Sequence, residues 1–140
     1  MKKLVLLTAL VLLTGLTFGQ TLKKGAIVAV SSWEITLNPD VTMNQFMDFY
    51  INKYIPEYEK NHPGVKQYIL WGDRGEKKNM IGALLVCESV AVRDMYWPVE
   101  NSDTMSEPAK AANEKMKVIS TELNKFVVAG KRTYTDWVIK

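Results

Sequence analysis

VKQYILWGDRGEKKNMIGALLVCES, residues 65–89, is the stretch whose reading decides the fold of this chain. Val65 to Trp71 alternates: Val65, Gln67, Ile69 and Trp71 share one face, and Lys66, Tyr68 and Leu70 the other. The run is rich in β-branched and aromatic residues and predicts a strand. Gly72 to Asn79 is polar and glycine-bearing, which predicts a turn. Met80 to Ser89 is then almost continuously apolar, the pattern of a central strand covered on both faces. Gly82 inside it points to a bulge or a close approach by another group.

Working outward, a helical pattern lies on each side of this hairpin. Thr42 and Gln45 have capping-box spacing, with Val41 and Phe46 placed to staple the helix start. Met43, Met47, Tyr50, Tyr54 and Tyr58 recur at helical spacing, widened by Phe46 and Phe49. Pro56 has no N–H for the carbonyl of Asn52, so the helix should kink or restart there. Asn61-His62-Pro63-Gly64 ends it. On the other side, Val90 to Tyr96 predicts a short helix ending before Pro98, and Val99 to Met105 a loop. Ser106 is a helix N-cap, with Pro108 in the first turn. Ala109, Ala112, Met116, Ile119, Leu123 and Phe126 make one apolar stripe, and Gly130 is expected to stop the helix. Gly25 to Leu37 and Arg132 to Ile139 complete the set as a first and a closing strand.

Strand, helix, strand, turn, strand, helix, strand is the order of a ferredoxin-like βαββαβ sandwich. That predicts an α+β domain with a four-stranded antiparallel sheet and two helices on one face. In isolation its other face would be solvated, yet the first and third strands are apolar on both faces. A second copy of the sheet is the economical cover, which predicts a homodimer. With this order, the helix ending YINKYIPEYEKNHPG (residues 50–64) and the hairpin after it, the chain resembles the dimeric α/β-barrel superfamily. Its members pair two ferredoxin-like subunits through their sheets. They include small monooxygenases, haem-degrading enzymes, isomerases and decarboxylases, so the resemblance implies a pocket, not one reaction.

The chain has 140 residues, 47% hydrophobic and 24% charged, as expected for one domain with its own core. Residues 1–19 read as a signal peptide. Lys2 and Lys3 precede an apolar run from Leu4 to Leu13, and Thr17-Phe18-Gly19 fits a small-x-small cleavage site. The competing reading is an uncleaved anchor, but the run is shorter than the ~20 residues a spanning helix needs. No cysteine follows it to carry lipid. The expectation is a periplasmic or secreted domain of residues 20–140 with no lasting membrane anchor. Removing Lys2 and Lys3 from 18 basic residues leaves 16 against 15 acidic, a formal charge of +1, too balanced a field to gather nucleic acid. Cys87 is the only cysteine, which excludes an intramolecular disulfide and makes it a small core residue rather than a nucleophile.

Strong catalytic motifs are missing. One His and one Cys do not make a transition-metal site, and neither G-x-S-x-G nor a phosphate-binding glycine loop is present. His62, at a helix end, reads as a cap for late carbonyls. No cofactor is expected, with haem as the alternative. In the superfamily, haem degradation uses an asparagine, a tryptophan and a histidine. Trp33, Trp71 and Asn38 are here, but no histidine lies in or near the second long helix. The residues unusual for their setting are the candidate site: Glu88 as an acid/base group, which burial would suit to proton transfer, and Tyr50, Tyr54, Trp71, Arg93, Tyr96 and Trp97 against a small apolar or aromatic ligand. The expected function is small-molecule binding, as a cofactor-independent monooxygenase or isomerase. The alternatives are a non-enzymatic dimeric interaction module and a haem-binding protein.

Overall fold

The structure is a computed structural model that describes residues 22–98 and 105–140. The signal-peptide reading and most of the 99–105 loop fall outside the described residues. The elements in chain order are β1 (Ile27–Leu37), α1 (Met43–Phe49), a π-helical turn (Tyr50–Tyr54), α2 (Ile55–Asn61) and β2 (Val65–Trp71). They continue with β3 (Ile81–Cys87), α3 (Val90–Tyr96), α4 (Glu107–Leu123) and β4 (Val127–Val138). The strands form one antiparallel sheet in the order β2-β3-β1-β4. This is the ferredoxin-like α+β fold that the element order predicts.

The predicted helix starts are found where the capping chemistry is. The Thr42 hydroxyl accepts from the N–H of Gln45, and the Gln45 side chain accepts from the N–H of Thr42. The Ser106 hydroxyl accepts from the N–H of Ala109 and donates to the carbonyl of Met95, which also ties α4 to α3. At Pro56 the chain neither breaks nor simply kinks. Ile55 donates to the carbonyl of Tyr50, five residues back, and the wider turn keeps the proline ring from the Asn52 carbonyl. The turn has a second effect. Residues four apart on a regular α-helix drift by about 40° per step, and one wide turn takes part of that drift back. Tyr50, Tyr54 and Tyr58 therefore stay in line, their rings 4.8 and 6.2 Å apart.

The register Ile27↔Cys87, Ile27↔Val138 and Val65↔Cys87 assigns the faces. Ile27, Ala29, Ser31 and Trp33 look toward the helices with Val65, Gln67, Ile81, Ala83 and Cys87. The core has two parts. One gathers Ile27, Val65, Cys87, Tyr96 and Ala112, and the other Phe46, Tyr50 and Ile81 with Trp33, Leu123 and Phe126 around them. The opposite face carries Val30, Leu84, Val86 and Trp137, with Trp137 60% exposed. Gly82 shows the expected close approach, since a Cβ there would meet the Ser31 carbonyl oxygen at 2.5 Å.

Two expectations for the C-terminal third are corrected. α4 ends at Leu123, before Phe126, and Gly130 does not stop it. Gly130 lies inside β4, which starts at Val127 rather than Arg132. Between the pairs Glu34↔Lys131 and Thr36↔Val128, the single residue Ile35 faces both Ala129 and Gly130, a β-bulge. A Cβ on Gly130 would lie 2.0 Å from the Glu34 carbonyl oxygen, so the glycine admits β1 rather than ending a helix. Asn38, just past β1, donates its side-chain N–H to the carbonyl of Asn124 and closes the end of α4.

Candidate functional site

The polar and aromatic groups of the interior meet under the π-helical turn. Tyr50 is buried there because the turn directs it at the middle of the sheet. Its ring packs edge-on against Trp33 at 5.4 Å and 78°, stacks on Tyr54 at 4.8 Å, and touches Phe46 at 5.4 Å. The side-chain amide of Gln67, only 5% exposed on β2, lies 2.5 Å from the Tyr50 phenol oxygen. Burial raises the pKa of the Tyr50, Tyr54 and Tyr58 phenols, and the Arg132 guanidinium opposes that push in all three. The phenols are therefore neutral hydrogen-bonding groups at physiological pH, not bases.

Arg132 approaches from β4, where its register partner is Trp33. Its guanidinium carbon lies 5.1 Å from the centre of a Trp33 ring. The helices leave the inner side of this edge strand uncovered: Arg132 is exposed and Tyr134 is 70% exposed. Trp33, Tyr50, Tyr54, Gln67 and Arg132 form one aromatic and polar cluster, in which Tyr50 joins Gln67 on β2 to Trp33 and Arg132 at the β4 edge. Two buried polar atoms in it have no partner among the described residues, the indole Nε1 of Trp33 and Oε1 of Gln67. Such orphans are rare in native interiors, because each lacks the hydrogen bond that water would have given it.

The predicted site residues divide into three places. Tyr50 and Tyr54 are in this cluster. Tyr96, Trp97 and Arg93 belong to a second cluster at the other end of the helix layer. There His62 is buried between the rings of Tyr58 (4.0 Å) and Trp97 (5.9 Å), with Tyr96 at 5.0 Å. His62 Nδ1 lies 2.9 Å from the Tyr58 carbonyl oxygen, so Nδ1–H donates, the capping role its position predicts. Desolvation lowers its pKa, and the bond to Tyr58 partly opposes this. Arg93 is held by Asp94 at 2.8 Å and by Asp136 at 3.5 Å. Tyr58 and His62 join the two clusters as one run of stacked rings. Glu88 stands apart, exposed just past β3, its backbone N–H bonded to the Gly64 carbonyl. Trp71 is half-exposed at the opposite end of the sheet. It borders a shallow groove of about 490 Å³ on the outer face, lined by Val30, Ser32, Leu70, Gly82 and Thr133.

Three residues of the cluster are not singled out as site residues by the sequence: Trp33, Gln67 and Arg132. Gln67 carries a signal, an amide among apolar residues on the inward face of its strand. Arg132 carries none, because its neighbour Trp33 is reached only through the pairing of the first and last strands.

Fold and site together define a ferredoxin-like α+β protein with an aromatic cluster of Trp33, Tyr50 and Tyr54 beside Arg132. No protein-family model matches the chain, and no curated protein does. Among solved structures it is similar to SnoaB from Streptomyces nogalater, described as a cofactor-independent oxygenase. The two are 12% identical over 83% of this chain and 94% of that one, with a TM-score of 0.48. A dimeric protein of unknown function and ferredoxin-like fold from Bacteroides fragilis is 10% identical over 83% and 98%, TM-score 0.41. A NIPSNAP-like domain protein from Burkholderia xenovorans is 12% identical over 80% and 84%, TM-score 0.47.

Proposed function

We propose that this chain is an exported homodimeric protein that binds a small molecule against the aromatic cluster of Trp33, Tyr50, Tyr54 and Arg132. The observation that carries the reading is the unpartnered, buried indole Nε1 of Trp33, whose register partner on the edge strand is the exposed Arg132. A ligand with an apolar body and a polar end would pack on the aromatic rings and bond the Trp33 N–H or Arg132. The residues around it offer hydrogen bonds and a positive charge, and the phenols stay neutral. The chemistry this favours is stabilisation of charge on the ligand, as a cofactor-independent oxygenase or isomerase would need, with no proton removed by these phenols.

Pairing through the sheet is supported by the outer face. Val30, Leu84, Val86 and Trp137 sit on it among the hydroxyls of Ser32 and Thr133, which bond each other at 2.9 Å. An apolar face of this kind is stable in water when another surface covers it. Export is supported by the basic, apolar and small-residue sequence of residues 1–19.

Native mass spectrometry of the chain purified from an exporting bacterial host tests the reading. The expected species is a dimer of the processed chain carrying extra small-molecule mass, reduced in Trp33→Phe. A bare dimer, unable to take up any small aromatic compound, would remove the binding function and favour an interaction module. A monomer would remove the sheet pairing.

A further inference from the structure

The outer face of the sheet grades from large to small side chains along its strands. Register sets three rows across it. Lys66, Val86, Val28 and Trp137 make the first row, and Tyr68, Leu84, Val30 and Thr135 the second. Leu70, Gly82, Ser32 and Thr133 make the third. The first row ends in a ridge, because Trp137 stands 60% exposed on the edge strand. The third row is a dip with a glycine in its floor. All four of its residues line the groove of about 490 Å³, which Trp71 and Met80 wall off where the hairpin turns. Ridge and groove lie about 13 Å apart along the strands.

A two-fold axis lets one surface pair with itself. Two copies of this sheet laid face to face are related by an axis along the strands or by one across them. An axis along the strands sets Trp137 over the partner's Lys66 and leaves the grooves facing each other, unfilled. An axis across the strands, over the middle row, sets the first row over the third. The partner's Trp137 then lies over Thr133, the partner's Val86 over Gly82 and the partner's Val28 over Ser32. Each of these large apolar side chains meets a small residue, the alternation that fills the space between two layers.

The chemistry of the groove agrees with its shape. The Ser32 and Thr133 hydroxyls lie 2.9 Å apart, so one donates to the other and the donating oxygen keeps its acceptor lone pairs. An indole brings one N–H donor and no acceptor, which matches that capacity. The three rows hold a single charge, Lys66, at the β2 edge, and Glu59 pairs with it at 2.6 Å. Pairing of the faces therefore strands no charge away from its partner. The face is also large enough. Four strands about 4.8 Å apart and seven paired residues of about 3.3 Å each span roughly 19 by 23 Å in plan. Side chains standing off that plane carry its accessible area toward the ~800 Å² that each partner of a stable complex buries.

We infer that the groove beside Trp71 is the socket for the partner's Trp137, across a two-fold axis that crosses the strands at Thr135. This rests on the pairing of two copies through their sheets and names the contact that locks it. Each dimer has two such sockets, filled reciprocally.

Sedimentation equilibrium of the purified protein tests the inference. Trp137→Ala empties both sockets and should raise the dimer dissociation constant at least about tenfold. Thr133→Trp blocks them and should also weaken the dimer, whereas mere adhesion of apolar faces would make that variant associate more tightly. Val118→Ser, on the exposed face of α4, should leave the dimer unchanged. Thr135→Cys should be joined to its counterpart by a short bismaleimide, because an axis along the strands would instead set residue 135 over the partner's Tyr68. Buried Cys87 should give no such product in the unsubstituted chain. Circular dichroism checks that each variant is folded. A monomeric unsubstituted chain would remove the sheet pairing and the socket with it. A dimer that is indifferent to Trp137→Ala, tightened by Thr133→Trp or not cross-linked in Thr135→Cys would overturn the socket and leave the sheet pairing in place.

Discussion

The side-chain amide of Gln67 and the phenol of Tyr50 meet at 2.5 Å in the interior, joining the second strand to the π-helical turn. Both residues are buried, so this bond replaces water that neither group can reach. Tyr50→Phe removes one partner and leaves the amide unsatisfied, a loss of roughly 1–3 kcal/mol. Gln67→Leu likewise strands the phenol. The double variant Tyr50→Phe/Gln67→Leu should lose clearly less than the sum of the two, because neither polar group then remains. Urea unfolding of the four proteins measures this, and strictly additive losses would rule the coupling out.

Gly130 and Gly75 differ in what limits them. At Gly75 the backbone is left-handed (φ +80°) and an added Cβ would have no atom within 4 Å, so alanine costs only the conformation, about 1 kcal/mol. At Gly130 the obstacle is the carbonyl of Glu34, and β1 and β4 must part at the bulge. Gly130→Ala should therefore cost more, roughly 2–3 kcal/mol. Thermal unfolding that ranks Gly75→Ala as the worse substitution would contradict the bulge.

His62 makes stability depend on pH. Its folded pKa is lowered from 6.5, chiefly by desolvation, so the folded state binds its proton less readily than the unfolded state does. The neutral form is accommodated above that unfolded value. Stability then falls as pH drops below 6.5 and through the lower folded pKa. Urea midpoints should decline between about pH 7 and about pH 5, and His62→Gln should flatten that segment. An unchanged slope in the variant would show that other groups cause the decline.

Cys87 should be inert in the folded protein. It is buried on the inward face of β3, and burial, with Asp136 adding to it against Arg93, pushes its thiol up to about 11. Reaction with a disulfide reagent at about pH 8 should proceed only through opening of the sheet, at a rate that rises steeply with urea. A fast reaction in the absence of urea would place the thiol at the surface.

Much of this molecule is legible locally. The capping chemistry of Thr42 with Gln45 and of Ser106 sets helix starts from groups three residues apart. The β-branched and aromatic residues of 65–71 set a strand, and the order of elements sets the ferredoxin-like arrangement. Gly130 misleads for a physical reason. A glycine after an apolar helical stripe has the same local signature whether it caps the helix or admits a neighbouring strand, and only the approach of Glu34 distinguishes them.

Residue order alone was enough to set which segments are helices and strands, that the chain forms one α+β sheet-and-helix layer, and that Tyr50 and Tyr54 sit on a core stripe. These depend on interactions within a few residues and on the periodicity of side chains. Long-range pairing was needed to set Arg132 beside Trp33, and packing of the π-helical turn on the sheet to join Gln67 to them through Tyr50. Pairing also placed Glu88 at the Cys87 end of β3, away from Trp33 and Arg132. Strand register does this, because pairing fixes which distant side chains face each other, and a shift of one residue would turn each to the opposite face.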